Sequence, residues 1–363
     1  MNIKAEEIVE VLSKSEIIAT LDERGELEGL PFMPEMLAYC GKRFRVSKRA
    51  HKTCDFVTGT GIRRLEGTVH LEELRCSGSA HGGCEAECLL YWKEAWLRRV
   101  GDTADTKAPA TAEISDSRRA QAGRCDEEQI YLACKTRGHD SDEPVYSCQA
   151  TRLPVFTQPA SGWDISIYVE DYKSGNVKSL SQMIPRFLYR GYDNLVNLGI
   201  GIGPILRWIY DRFQGLRGGI PYPARAGRIK TGSPTPTGSL NLQTGEWVRV
   251  KSYEEILRTL DTSSKNRGMA FSAEMVPFCG KTYRVKNRVT RIVDEKTGRM
   301  LNMKNPCIIL NGVSCRGMYN RSMLFCPRAT YSYWREIWLE RVDTPQTERD
   351  VTIKIALARE ESA

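Results

Sequence analysis

The sequence predicts a mainly β protein with some α: two homologous small SH3-like barrels joined by a helical and irregular connector. Three observations predict it. A stretch of about a hundred residues occurs twice, and both copies read as short strands broken by glycine turns. The segment between them is polar or helically periodic. The chain of 363 residues is also too long for one core of ordinary size and suits two or three domains. With 41% apolar and 27% charged residues, the composition is that of a soluble globular chain.

The duplication is read by sliding the chain over itself. LEGLPFMPEMLAYCGKRFRV, residues 27–46, lies over NRGMAFSAEMVPFCGKTYRV, residues 266–285, at an offset of 239. Glu35 and Met36 then meet Glu274 and Met275, Cys40 meets Cys279, and Cys76 meets Cys315. After a three-residue gap the offset is 242, where Cys84 meets Cys326, and Trp92 and Trp96 meet Trp334 and Trp338. Two copies make two similar domains, 1–101 and 240–345, with a connector over 102–239 and a tail over 346–363.

Within each copy the elements follow in the same order. EEIVEVLS and EWVRVKS suit a first strand, and SEIIATL and SYEEILRTL suit a turn or two of helix. CGKRFRV and CGKTYRV alternate as strands do. RIVDEKTGRMLNM reads as a hairpin turning at Glu295–Gly298, and CIILNGVSC as a short strand with a turn. YWKEAWLRRV and YWREIWLERV set two tryptophans four apart, the spacing of one helix face. In the connector, TADTKAPATAEISDS is a polar linker. QIYLACKTRGHDSDEPVYSCQATRLPVF reads as two strand-like pieces around a solvated loop holding His139. SLSQMIPRFLYRGYDNLVNLG and GPILRWIYDRFQGLRGG read as a helical hairpin near 180–215, broken at GIGIG. PYPARAGRIKTGSPTPTGSLNL is irregular.

The text CGKRFRV…RAHKTCD…WKEAW resembles that of bacterial hypothetical proteins, and the resemblance spans both copies. It implies a shared duplicated, cysteine-containing SH3-like repeat and brings no activity with it. GEWVRV and CGKTYRV are similar, over a short span, to SH3-like barrels of enzyme accessory subunits.

The opening MNIKAEEIVEVLSK lacks the apolar run of a secretory signal, so a cytoplasmic protein is expected. Its twelve cysteines are then thiols or metal ligands rather than disulfides. In copy two, Cys279, Cys307, Cys315 and Cys326 could form a tetrathiolate zinc site, or be small buried apolar groups. Copy one has Thr68 where copy two has Cys307, and His70 lies two residues on, on the same strand face. The expected ligands there are Cys40, His70, Cys76 and Cys84, with Cys88 competing for the fourth place. His51, Cys54, His70, His81 and Cys88 occur only in copy one. They are candidates for a further metal, for an open catalytic centre, or for a reactive pair. His51 and Cys54 stand three apart, adjacent if that segment is helical, as a base and a nucleophilic thiol would be. Iron is the other ion such a cluster could hold. Cys125, Cys134 and Cys148 have no repeat partner and receive no role.

The whole excess charge of +8 falls within residues 240–345. Arg316, Arg321 and Arg328, interleaved with tyrosines, suit a nucleic acid or an acidic protein. The aromatic and basic helices near 180–215 are expected to pack between the two domains, with contact to a membrane surface as the alternative. LVNLGIGIGPILRWIY is short for a span and contains Asn197, Pro204 and Arg207. GIGIGP lacks the G-x-G-x-x-G spacing, and no P-loop, carboxylate pair or Ser-His-Asp pattern specifies a reaction. The expectation is therefore a metal-containing, zinc-type binding or adaptor protein. The alternative is a metalloenzyme or redox protein using the Cys/His cluster of copy one.

Overall fold

In the computed structural model, which describes residues 2–58, 61–100, 125–137, 143–319 and 323–343, the architecture is mixed α/β and rich in sheet. The sheets are small and antiparallel, and none closes into a barrel. The first copy contributes β1 (Ile8–Val11), β2 (Glu26–Leu27), β3 (Leu30–Pro31), β4 (Arg43–Arg49), β5 (Lys52–Asp55), β6 (Gly61–Arg64), β7 (Thr68–Leu71), β8 (Trp92–Lys93) and β9 (Leu97–Arg99). Between the copies lie β10 (Lys135–Arg137), β11 (Pro144–Tyr146) and β12 (Gln158–Pro159). The second copy contributes β13 (Trp247–Val250), β14 (Lys265–Asn266), β15 (Met269–Ala270), β16 (Thr282–Val293), β17 (Met300–Ser314), β18 (Tyr331–Trp334) and β19 (Leu339–Arg341).

Alternation builds both principal sheets. Val9 and Val11 point inward along β1, as Val248 and Val250 do along β13. The strand orders are β8-β7-β4-β1-β9 and β18-β17-β16-β13-β19. Ile8 faces Arg45 as Trp247 faces Arg284. Glu10 faces Arg98 as Arg249 faces Glu340, and Val69 faces Trp92 as Ile308 faces Trp334. These are the positions that the offsets of 239 and 242 bring together. After each first strand comes a short helix, Lys14–Ile18 or Tyr253–Leu257. Ser13 and Ser252 cap them. Each hydroxyl accepts from the N–H of the glutamate three residues on, whose carboxylate accepts from the serine N–H at 2.9 Å.

The paired tryptophans do not share a helix face. Trp92 opens β8, the neighbour of β7, and a 3-10 turn, Glu94–Trp96, leads directly into β9; the second copy has the corresponding turn Glu336–Trp338. The turn returns the second indole to the core that the first already fills. The edge of Phe32 meets Trp92 and Trp96 with centroids 6.2 and 5.2 Å apart, and Phe271 meets Trp334 and Trp338 at 6.1 and 5.3 Å. The inner indoles donate to Thr20 and Thr259 at 3.1 and 2.8 Å, which satisfies their buried N–H groups.

The chain divides into two compact units. The first holds the described residues of Met1–Leu206, Arg291–Asn302 and Cys315–Thr330; the second holds those of Arg207–Thr290, Met303–Ser314 and Tyr331–Ala363. In the first unit, QIYLA is not a strand but the end of helix Glu127–Ala133, which Asp126 caps by accepting from Gln129 N–H at 2.7 Å. Only KTR and PVY pair, as β10 and β11. His139, residues 102–124 and the tail from 346 lie outside the described residues.

The segments 180–196 and 203–216 form the helices Leu180–Val196 and Gly203–Leu216. Gly203 lies close against the end of the first helix, where a Cβ would meet the Val196 carbonyl at 2.7 Å. The first helix buries one face, Met183, Tyr189, Arg190, Asp193 and Val196, with Met183 in an apolar cluster beside Ile167 and Tyr168, while Ile184, Leu188, Leu195, Ile200 and Ile205 face solvent. Among the described residues no helix is long and apolar enough to cross a membrane.

Candidate metal centre

The loop CSGSAHGGCEAEC is closed by backbone bonds at both levels. Cys76 N–H donates to the Cys88 carbonyl at 2.8 Å, and His81 and Gly83 N–H both donate to the Gly78 carbonyl, at 3.1 and 2.9 Å. Gly78 has φ +72°, and a Cβ on it would lie 1.9 Å from the Cys84 carbonyl oxygen, so only glycine allows this fold-back. The result is that His81 Nε2 sits 3.1 Å from Cys76 Sγ. The 3-10 helix Pro34–Tyr39, with Pro34 in its first turn, brings Glu35 to the same place. Among the described residues, Glu35, Cys76 and His81 are the one group of three or more such side chains whose donor atoms all lie within 4.8 Å of one another.

The donor atoms of this group are poorly satisfied by the protein itself. Both oxygens of Glu35 are buried without a hydrogen-bond partner, and so is His81 Nδ1. Burial, and next the Glu35 charge, push the Cys76 thiol far above its ordinary range; Cys88 and Cys148 lie near enough to add to this. Burial also lowers His81, favouring the neutral imidazole that a metal requires. A positive ion at this place would favour the thiolate over the thiol. One carboxylate, one sulfur and one imidazole nitrogen suit a borderline-soft divalent ion such as zinc.

The other expected ligands are elsewhere. Cys40 is half-buried and turns to the Met36 carbonyl at 4.0 Å. His70 lies over Tyr91 with centroids 4.5 Å apart, and its Nδ1 donates to the Leu90 carbonyl at 2.8 Å. Cys84 Sγ accepts from Val293 N–H at 3.3 Å. Cys88 is pushed up to about 12 by burial. The tetrathiolate expected of copy two does not form. Cys279 turns to the Met275 carbonyl at 3.9 Å, and burial pushes it up to about 12. Cys307 lies 3.6 Å from the sulfurs of Met269 and Met303, with Arg335 Nη1 at 3.4 Å. Those two cysteines belong to the second unit, whereas Cys315 and Cys326 belong to the first.

His51 and Cys54 do not form a pair either. His51 stands at a bend just before β5 and Cys54 within β5, so the helical turn that would set them side by side is absent. His51 Nε2 donates to the Ile167 carbonyl at 2.9 Å, while Cys54 hydrogen-bonds to the buried thiol of Cys326. Arg328 adjoins this pair. It is 2% exposed, donates to the Cys54 carbonyl at 3.1 Å and is held by Glu295 at 2.6 Å, so it offers no fork to a phosphate. Arg316 is exposed, and Arg321 lies outside the described residues.

Two features of this unit escape a reading of the sequence. Glu35 carried a signal, since Glu-Met recurs in both copies, but a shared carboxylate reads as architecture. The fully buried pair of Lys52 and Asp171 carried none; Lys52 also donates to the Leu324 carbonyl at 2.8 Å and lies 4.6 Å from the Tyr168 ring centre. Burial raises Asp171 to about 6 despite the adjacent ammonium. No family model matches this chain, and no curated protein matches it.

Proposed function

We propose that this chain is a metal-stabilised binding protein whose first unit holds one zinc-type ion through Glu35, Cys76 and His81. The observation that carries the reading is the orphaned, buried carboxylate of Glu35 beside a buried thiol and imidazole. His81 is 1% exposed, so an ion there is closed from substrate and would tie the loop of residues 76–88 to the turn that carries Glu35. That burial favours a structural role, although three protein ligands leave a fourth position to be filled by water or another group. The two five-stranded sheets, each with a 3-10 turn before its last strand, support reading them as partly open SH3-like modules.

The purified chain is expected to carry about one zinc per molecule by elemental analysis, and Cys76→Ser or His81→Gln to carry about a tenth of that or less. Cobalt exchanged into the site should give a thiolate charge-transfer band that Cys76→Ser lacks. The ion should leave on acidification, because protons compete for the sulfur and the imidazole. Metal content that is negligible, or unchanged in both variants, would remove the proposal. Visible iron absorbance lost in the same variants would give the centre to the redox alternative.

A further inference from the structure

In the first unit the helix Leu180–Val196 and the turn that follows it leave an apolar surface uncovered. Trp163, Ile165 and Leu180 are 73%, 75% and 60% exposed at a groove of about 400 Å³ whose floor includes Tyr168, Met183 and Phe187. From there exposed side chains run along the helix Leu180–Val196, through Ile184, Leu188 and Leu195, to the turn LGIGIGP. In that turn Leu198, Ile200 and Ile202 alternate with Gly199 and Gly201, whose φ values of +76° and +82° set the bend. Nothing lies within 4 Å of where a Cβ on either glycine would be, so the tip projects into open space. A continuous apolar run of this kind on a soluble surface marks an interaction site.

Charge selects the partner. From Lys173 to Leu206 the only acidic residue is Asp193, which is buried, and at the groove the half-buried Asp164 and Glu170 are paired with Arg64 and Arg49 at 3.6 and 3.2 Å. Lys173 and Lys178 are exposed, although Lys178 also reaches Glu6 at 3.5 Å, and Arg186 is half-buried beside the run. Two copies meeting through this surface would bring these like charges together, which opposes self-association. A negatively charged surface with an apolar interior matches them, and an exposed tryptophan and tyrosine (Trp163 and Tyr172) suit the headgroup level. We propose that this surface docks on an anionic lipid bilayer, with Leu198, Ile200 and Ile202 entering the acyl boundary and the lysines meeting lipid phosphates.

The test uses the full chain and flotation with phosphatidylcholine vesicles, with and without phosphatidylglycerol. The chain is expected to float with the anionic vesicles and to be released by high salt. The double substitution Ile200→Asp and Ile202→Asp, in an exposed turn, should weaken binding about tenfold or more. Quenching of Trp163 fluorescence by brominated lipid, lost in Trp163→Phe, reads the same contact in a chain whose turn is intact. No flotation of the unaltered chain, or equal flotation of the double variant without Trp163 quenching, overturns the proposal. A dimer in sedimentation that the double substitution dissolves, with no vesicle binding, would assign the surface to a second copy instead.

Discussion

Asp171→Ala is expected to cost about 3–5 kcal/mol, because it strands a charge that has no other counter-ion at contact. Lys52 and Asp171 are both fully buried, and the ammonium's other neighbours are the Leu324 carbonyl and the rings of Tyr168 and Phe325. A carbonyl and two ring faces do not replace a carboxylate. Burial already lowers Lys52, and Asp171 is the largest influence acting against that. Without it the amine must lose its proton or draw water into the apolar cluster of Ile62, Ile167, Tyr168 and Phe325. The loss should appear as a lower urea midpoint and as faster amide exchange in β5, which carries Lys52. The double variant Lys52→Met with Asp171→Leu should regain most of it, since apolar groups of similar size leave nothing unpaired. If Asp171→Ala lies within about 1 kcal/mol of the unaltered chain, the pair does not hold this cluster together.

How much of this could be read in advance depends on the range of the interaction. Strand identity, the capping serines and the hairpin at Glu295 are local, and alternation or a serine-glutamate spacing carries them. The repeat supplied the common strand order, because equal text at a fixed offset folds to equal register. The tryptophans misled for a local reason: a 3-10 turn between two strands also sets residues four apart on one side. Cys76 and His81 are both ligand candidates in the sequence but fall in separate groups there, and the helical reading of His51 and Cys54 fails because Cys54 lies on a strand. Glu35 lies 41 residues from Cys76, and Asp171 lies 119 from Lys52. No periodicity joins positions that far apart; only the packed chain does. The helical hairpin shows the converse. Its residues looked like core because they are apolar, yet apolar surface is also what a lipid partner needs.

Acidification from pH 7 to pH 5 is expected to destabilise the chain by about 2–3 kcal/mol, and two histidines set the sign. Burial, and next the Lys52 charge, lower His51 from 6.5 to about 3; burial likewise lowers His70 from 6.5 to about 3. The geometry agrees. Each ring already donates from one nitrogen to a carbonyl, and His51 Nδ1 and His70 Nε2 are buried with no acceptor for a second proton. Unfolded, each takes up a proton as pH falls through 6.5; folded, each refuses it down to about 3. Their stabilisation is present above 6.5 and lost below it, by about 2 kcal/mol each at pH 5. Asp171 acts the other way. Burial holds its folded carboxyl near 6 against 3.8 unfolded, so the native state takes up its proton first and regains about 1.4 kcal/mol by pH 5. Carboxylates held low by partners, such as Glu16 hydrogen-bonded to Ser13, titrate below 4.5 and outside this window. Urea midpoints measured in steps across the range should therefore fall with pH. In a His51→Gln, His70→Gln double variant the fall should be markedly smaller, since only His81 and Cys326, both lowered in the folded chain, are left to oppose Asp171 in the window. An unaltered chain that is as stable at pH 5 as at pH 7 would mean that the folded protein admits protons to one or both rings.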